Sequence, residues 1–291
     1  MLDEAWLQSN PLPDLNGIKG KDDRGCVLIV GGAKFVPGAL RLTGEAALRA
    51  GAGKIQLATV AEAAIALGVL MPEAAMLALT ADEHGEIAPE AANVLKDRLQ
   101  RCDALVLGPG MSIGENTDRL IADMLSAPVE SRSILLDAAA ITVASKLKAD
   151  IRRHEGRIIM TPHHGEMALL AGTTEEAVAA DPEGYARKMA KRYRAIILIK
   201  GKNSMIAAAD GTLLNFEGGC VGLGTAGSGD VLSGIIGGLS ARGADPLTAT
   251  AWGCWLHGKA GELLSREIGT VGFIASDLLP IIPRLMEQYK D

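Results

Sequence analysis

Short apolar runs alternate along the chain with longer segments whose apolar positions recur at helical spacing. The runs CVLIVGG (26–32), KIQLAT (54–59), AMLALT (75–80), ALVLGPG (104–110), SILLDA (133–138), RIIMTP (157–162) and AIILIKG (195–201) are largely continuous in aliphatic residues. Such runs predict buried strands of a mostly parallel sheet, because alternation with polar residues is lost when both faces are covered. Helix-length segments separate them, among them GALRLTGEAALRAGAG (38–53), APEAANVLKDRLQRC (88–102) and EGYARKMAKRYR (183–194). Strands alternating with helices make an α/β protein, with helices on both faces of the sheet. The pattern changes after Lys200. SMIAAADGTLLNF (204–216) predicts a hairpin turning at Asp210-Gly211, and the rest is mainly helical. Val231, Leu232, Ile235, Ile236 and Leu239 share one helical face. No linker or fixed-period repeat interrupts the 291 residues, so one domain over 1–291 is the simplest organisation.

Composition narrows the function classes. The formal net charge of −6 gives no broad basic surface for nucleic acid. Cys26, Cys102, Cys220 and Cys254 are dispersed, without a C-x-x-C pair. That argues against a structural zinc site or disulfide framework and fits a reducing cytoplasm. The start MLDEAWLQSNPLPD lacks a basic region followed by an apolar one, and no stretch approaches the roughly 20 apolar residues of a membrane span. The expectation is a soluble cytoplasmic protein without a membrane partner.

Candidate chemistry gathers at the carboxyl ends of the strands, where open parallel sheets bind ligands. Gly31-Gly32, Gly108-Pro109-Gly110, Asp137, Thr161-Pro162-His163 and Lys200-Gly201 all fall there. GLGTAG (222–227) has the letters of a dinucleotide fingerprint but follows a hairpin and lacks a later strand carrying an acid. No G-x-x-x-x-G-K-[ST] and no G-x-S-x-G occur. Residues 218–229 instead make an amide-rich loop opening a helix, a natural site for anionic oxygens. Asp230 then places a carboxylate where a bound anion would be repelled. Gly234, Gly237 and Gly238 cost about 1 kcal/mol each relative to alanine inside a helix, which implies close packing against a neighbour or a ligand. In TPHHGEM (161–167), two histidines and a glutamate are too few for zinc, since His84, His154 and His257 lie elsewhere. Glu166 suits either a water-mediated contact to a phosphate-held magnesium ion or a helix start favoured by the dipole.

Seven segments carry a resemblance over roughly Lys19 to Pro283: KGKDDRGCVLIVGGAKFVPGALRLTGEAALRAGAGKIQLAT, VLGPGM, LLDAAAI, MTPHHGEMALLAG, ILIKGKNSMIA, GTAGSGDVLSGIIGGLSARG and WLHGKAGE. Together they resemble the ribokinase-like superfamily and, within it, the NAD(P)H-hydrate dehydratases. The glycine-plus-aspartate segment marks only the superfamily; TPHxGE, GG…PGA and KGKNS in order are more specific. The resemblance implies a ribokinase-like three-layer α/β/α sandwich with a mostly parallel central sheet. It implies dehydration of the S-epimer of NADH hydrate or NADPH hydrate using ADP or ATP, releasing AMP or ADP and phosphate. Asp230 would be the catalytic base. Ala39, Gly110, His163 and Asp230 would contact the hydrated nicotinamide nucleotide. Lys200, Gly201, Lys202, Asn203, Ser204, Gly227, Ser228 and Gly229 would bind the adenine nucleotide. Glu166 would help organise Mg2+ through water, and the chain would form a homo-oligomer. Four positions depart from the family pattern: Ala226 for a glycine, Ser228 for a threonine, Ala139 for an acid and His164 for a proline.

Two other readings use the same residues. A true small-molecule kinase for a vitamin or sugar alcohol would share the base and loop. A non-catalytic nucleotide-binding protein would do better without the charge of Asp230.

Overall fold

The computed structural model describes residues 1–14, 16–126 and 132–289. Nine strands form one sheet: β1 (Cys26–Val30), β2 (Lys54–Val60), β3 (Ala75–Leu79), β4 (Ala104–Leu107), β5 (Ser133–Leu136), β6 (Ile158–Met160), β7 (Ile196–Ile199), β8 (Asn203–Ala207) and β9 (Leu213–Glu217). Their spatial order is β3-β2-β1-β4-β5-β6-β7-β8-β9. Strands β1 to β7 pair in parallel, and β7-β8-β9 form an antiparallel margin. The predicted hairpin is β8-β9, with Gly211 at φ +100° in its turn.

Each parallel strand divides its side chains between two cores. Val27, Ile29, Leu57, Val106 and Leu135 pack with the helices Gly38–Arg49, Ser228–Ala241 and Pro246–Glu267. Leu28, Val30, Leu105, Leu107 and Ile134 pack on the other side with Ala92–Leu99, Glu115–Ser126 and Pro182–Tyr193. Both faces of the sheet are covered by apolar residues, so the alternation is invisible in the sequence. The result is a three-layer α/β/α sandwich.

Several strands end where their aliphatic residues end, short of the last residues of their runs. β1 stops before Gly31, β4 before Gly108, β5 before Asp137, β6 before Thr161 and β7 before Lys200. Gly32 (φ +65°), Gly108 (φ +118°) and Ala138 (φ +48°) leave extended geometry, and Pro162 has no N–H for a ladder. The rim residues therefore belong to loops. Between β1 and β4 the strand order reverses, and there the two loops meet: Gly32 N–H donates to the Pro109 carbonyl at 2.7 Å.

The interior glycines of Ser228–Ala241 are resolved as protein packing. A Cβ on Gly234 would collide with the Thr43 carbonyl and stand 2.6 Å from Ala46 Cβ. One on Gly237 would stand 2.6 Å from Val106 Cγ2, and one on Gly238 would strike the Ala47 backbone. The helix lies nearly backbone to backbone against Gly38–Arg49 and presses on the sheet, which sets its first turn against the rim.

Candidate active site

Three strand ends and one helix converge on a buried carboxylate. Asp137, 3% exposed, follows β5 directly. Its Oδ1 accepts from Thr161 Oγ1 at 2.9 Å and from the Lys200 ammonium at 3.0 Å. Its Oδ2 accepts from Ser233 Oγ at 2.7 Å. Burial opposes the charge, but Lys200 and the two hydroxyls outweigh it and hold Asp137 below the ordinary carboxylate range.

Lys200 also faces Glu166, with Nζ 3.9 Å from Oε2. Burial lowers the lysine's proton affinity, and the surrounding acids Asp137, Glu166 and Asp230 more than restore it. Its ammonium is thus engaged by protein carboxylates, where the sequence alone offers it simply as attraction for phosphate. Glu166 serves a second purpose. Its Oε2 accepts from the His163 N–H at 2.9 Å, while His163 Nδ1 accepts from the N–H groups of Gly165 (3.1 Å) and Glu166 (3.4 Å). This reciprocal capping box starts the helix His164–Ala171, the helix-opening role open to Glu166 from its sequence position. Burial raises the Glu166 carboxyl above its usual range, with Lys200 opposing and Asp137 adding. The His163 side chain remains 60% exposed, its Nε2 standing 3.6 Å from Glu166 Oε2.

The glycine loop enters the helix Ser228–Ala241 through Gly227 at φ +85°. Gly229 lies against the charged network: a Cβ there would be 3.5 Å from Lys200 Nζ and 3.8 Å from Asp137 Oδ2. Ser228 Oγ hydrogen-bonds His257 Nε2 at 2.9 Å. Desolvation takes His257 down to about 4, Ser228 opposing and Lys200 adding, so this imidazole is neutral at neutral pH. Asp230, in the first helical turn, accepts no side-chain or loop hydrogen bond among the described residues. Burial pushes its carboxyl up to about 7, Asp137 adds to the shift, and Lys200 opposes it. A carboxylate at that value accepts a proton near neutrality with useful driving force.

The sequence candidates fall into three places. Lys200, Glu166, Gly229 and Asp230 meet in the charged network. Ala39 and Gly110 meet at the β1 and β4 loops, where a Cβ on Gly110 would be 2.8 Å from Ala39 Cβ. Gly227 adjoins the same helix as Ala39, since its Cβ would touch Leu42. Gly201, Lys202 and Asn203 are exposed at the turn into β8, with Ser204 Oγ donating to the Gly201 carbonyl at 3.2 Å. Ala226 is exposed and keeps negative φ, because Gly227 takes the left-handed position. Ala139 is buried at the start of Ala139–Ala144. Thr161 and Asp137 stand out in the sequence only as strand-end residues. Ser233 carries a weak signal, one helical turn beyond Asp230, and His257 stands out only as part of WLHGKAGE, its partner Ser228 being 29 residues away.

Comparison with known proteins fits this geometry. Residues 27–284 match the NAD(P)H-hydrate dehydratase family. The chain is 45% identical over 284 residues to the ADP-dependent (S)-NAD(P)H-hydrate dehydratase of Xanthomonas campestris pv. campestris, covering 98% of this chain and 95% of that one. It is 33% identical to the bifunctional NAD(P)H-hydrate repair enzyme Nnr of Escherichia coli, covering 91% of this chain and 48% of that protein. It therefore spans about half the length of that bifunctional relative. Among solved structures, the ADP/ATP-dependent NAD(P)H-hydrate dehydratase of Bacillus subtilis, co-crystallised with ATP/Mg2+, has the same fold, with TM-score 0.80, 24% identity and coverage of 100% and 98%. A ribokinase-like superfamily protein of Enterococcus faecalis gives TM-score 0.83 at 22% identity, covering 99% of this chain and 95% of that one. The fold is ribokinase-like, and the chain belongs to the NAD(P)H-hydrate dehydratase family.

Proposed function

We propose that this chain, as one domain over 1–291, dehydrates the S-epimer of NADH hydrate and NADPH hydrate using ADP or ATP, restoring NADH and NADPH. The observation that carries the mechanism is Asp230: a half-buried acid whose desolvation pushes its carboxyl up to about 7, set in the first turn of a helix that opens on the glycine loop. The ring hydroxyl gives its proton to Asp230 as its oxygen attacks the terminal phosphoryl group of the nucleotide. The bond from that phosphorus to the bridging oxygen breaks, releasing AMP from ADP or ADP from ATP. The ring nitrogen then pushes electrons as inorganic phosphate leaves and the adjacent ring carbon loses a proton, forming the double bond. Phosphate is a far better leaving group than hydroxide, which gives the nucleotide its purpose.

The protein's share is placement and charge. Gly227, Ser228 and Gly229 meet the transferring phosphoryl group at the helix start, and Lys200, Gly201, Lys202, Asn203 and Ser204 flank the adenine nucleotide. Ala39, Gly110 and His163 line the hydrated nicotinamide side; the exposed His163 ring and the Ala39–Gly110 contact support this. Among the described residues no three His, Cys, Asp or Glu side chains form a metal cluster. The donors therefore fit magnesium held mainly by phosphates and water, with Glu166 in contact through water. When bound, the ion would neutralise phosphate charge. Exposed Ile65, Val69 and Leu70 on one helix support a homo-oligomer. No described helix is long and apolar enough to cross a membrane.

The test is to mix the protein with NADH hydrate, Mg2+ and either ADP or ATP, and follow the absorbance of the reduced ring. Regeneration only with nucleotide is expected. A stable phosphorylated alcohol with no regeneration would overturn the dehydratase in favour of a kinase.

A further inference from the structure

Asp137 has no part in the reaction as described, yet the rim is built around it. We propose that Asp137 is a positioning residue: held by Thr161 and Ser233, its buried carboxylate fixes the Lys200 ammonium against the glycine loop, facing Glu166 and Asp230. This rests on the reading of the site as a phosphoryl-transfer centre.

A lysine ammonium is a point charge on a flexible four-carbon stem, so it stands in one place only if a fixed acceptor holds it. Asp137 is such an acceptor. Its N–H continues the ladder by donating to the Leu107 carbonyl at 3.1 Å. Its own carbonyl sits where a Cβ on residue 108 would be, and Gly108, at φ +118°, leaves that space. The next residue, Ala138, is a non-glycine held at φ +48°, and such strain persists only where the surroundings over-determine it. One oxygen then serves Thr161 and Lys200, and the other serves Ser233. The carboxylate thereby locks the ends of β5, β6 and β7 to the helix that carries Asp230.

Stability alone is a poor reason for this arrangement, because well-packed apolar residues commonly replace a buried ion pair without loss. Placement gives a better one. Lys200 Nζ and Asp137 Oδ2 stand 3.5 and 3.8 Å from where a Cβ on Gly229 would be, so the fixed charges lie against the loop itself. The charged groups facing Asp230 are Asp137 and Lys200, and they act on it with opposite signs.

The experiment compares Asp137→Asn and Ser233→Ala with the wild type in the cofactor-regeneration assay, with ADP affinity measured separately by calorimetry. Asparagine keeps the shape and removes the charge. It should lower kcat roughly 100-fold while ADP affinity changes less than about threefold, and it should move the acid limb of kcat to lower pH. Ser233→Ala, which removes one of the hydroxyls holding Asp137 and so loosens the fixed position of Lys200 without altering either charge, should lower kcat about tenfold with ADP affinity unchanged. A folded Asp137→Asn protein with kcat within about threefold of wild type, or one whose only change is weaker ADP binding, overturns the proposal. If that variant does not fold, Ser233→Ala decides: wild-type kcat overturns the proposal. A wild-type protein that never restores the reduced cofactor overturns the functional reading and the proposal with it; an active wild type beside unaffected variants overturns the proposal alone.

Discussion

The strand rim holds a buried aspartate and the helix start a half-buried one, both facing the same lysine, and the two acids behave oppositely. At the rim, Asp137 receives the ammonium and two hydroxyls and stays ionised well below neutrality. At the helix start, Asp230 accepts no such bonds among the described residues, and burial with the charge of Asp137 takes it up to about 7. Residue type is identical, so environment alone sets the two apart; on the proposed function, one carboxylate is a fixed charge and the other the proton acceptor. On that proposed function, an anion-binding loop would tolerate an acid at its end because that acid can be neutral when the nucleotide arrives and ionised when the hydroxyl must lose its proton.

The sharpest way to break this contrast is Asp230→Asn. It should lower kcat by roughly a thousandfold, within the range of general base catalysis, while nucleotide affinity holds or improves. Calorimetry beside the regeneration assay reads both, and near-normal turnover would sink the assignment. Next comes Gly234→Ala, which drives the helix start away from the rim. The new methyl meets the Thr43 carbonyl and Ala46, so overpacking should destabilise the fold by about 1–3 kcal/mol despite better helix propensity. Urea unfolding reads that loss, and unchanged stability would mean the two helices separate easily.

Stability against pH separates the two acids by sign. Asp137, lowered in the folded state, contributes stability above the ordinary value of 3.8 that is lost as pH falls through its folded pKa. Asp230, raised, contributes stability that is full below 3.8 and lost as pH rises through about 7. Denaturant unfolding of Asp230→Asn should therefore gain on the wild type between pH 4 and 8, whereas Asp137→Asn should lose less than the wild type on acidification below pH 4. Parallel curves would contradict the contrast. The smallest change is expected from Ala226→Gly. Residue 226 is exposed with negative φ, so kcat should shift by less than about twofold. A larger gain would show that the methyl does narrow the loop.

Much of this was legible before any coordinates. The continuous aliphatic runs announce each parallel strand, Asp210-Gly211 announces the hairpin, and the glycines of 234–238 announce a close neighbour. Asp230 is conspicuous because it contradicts the loop before it. At the rim the strands stop where the aliphatic residues stop, and the Gly, Pro, Asp, Thr and Lys residues that close those runs belong to the loops. Glu166 offered two roles, and its capping hydrogen bond shows that helix initiation is one of them.

The sequence by itself determined the layer order and the family and singled out Asp230 as a candidate, because periodicity and local glycine chemistry act over a few residues. Tertiary structure alone decided the partners of Lys200, the bond from Ser233 to Asp137 and the neutral state of His257. Those depend on side chains 29 to 96 residues apart meeting away from water, and a pKa belongs to that meeting rather than to the residue.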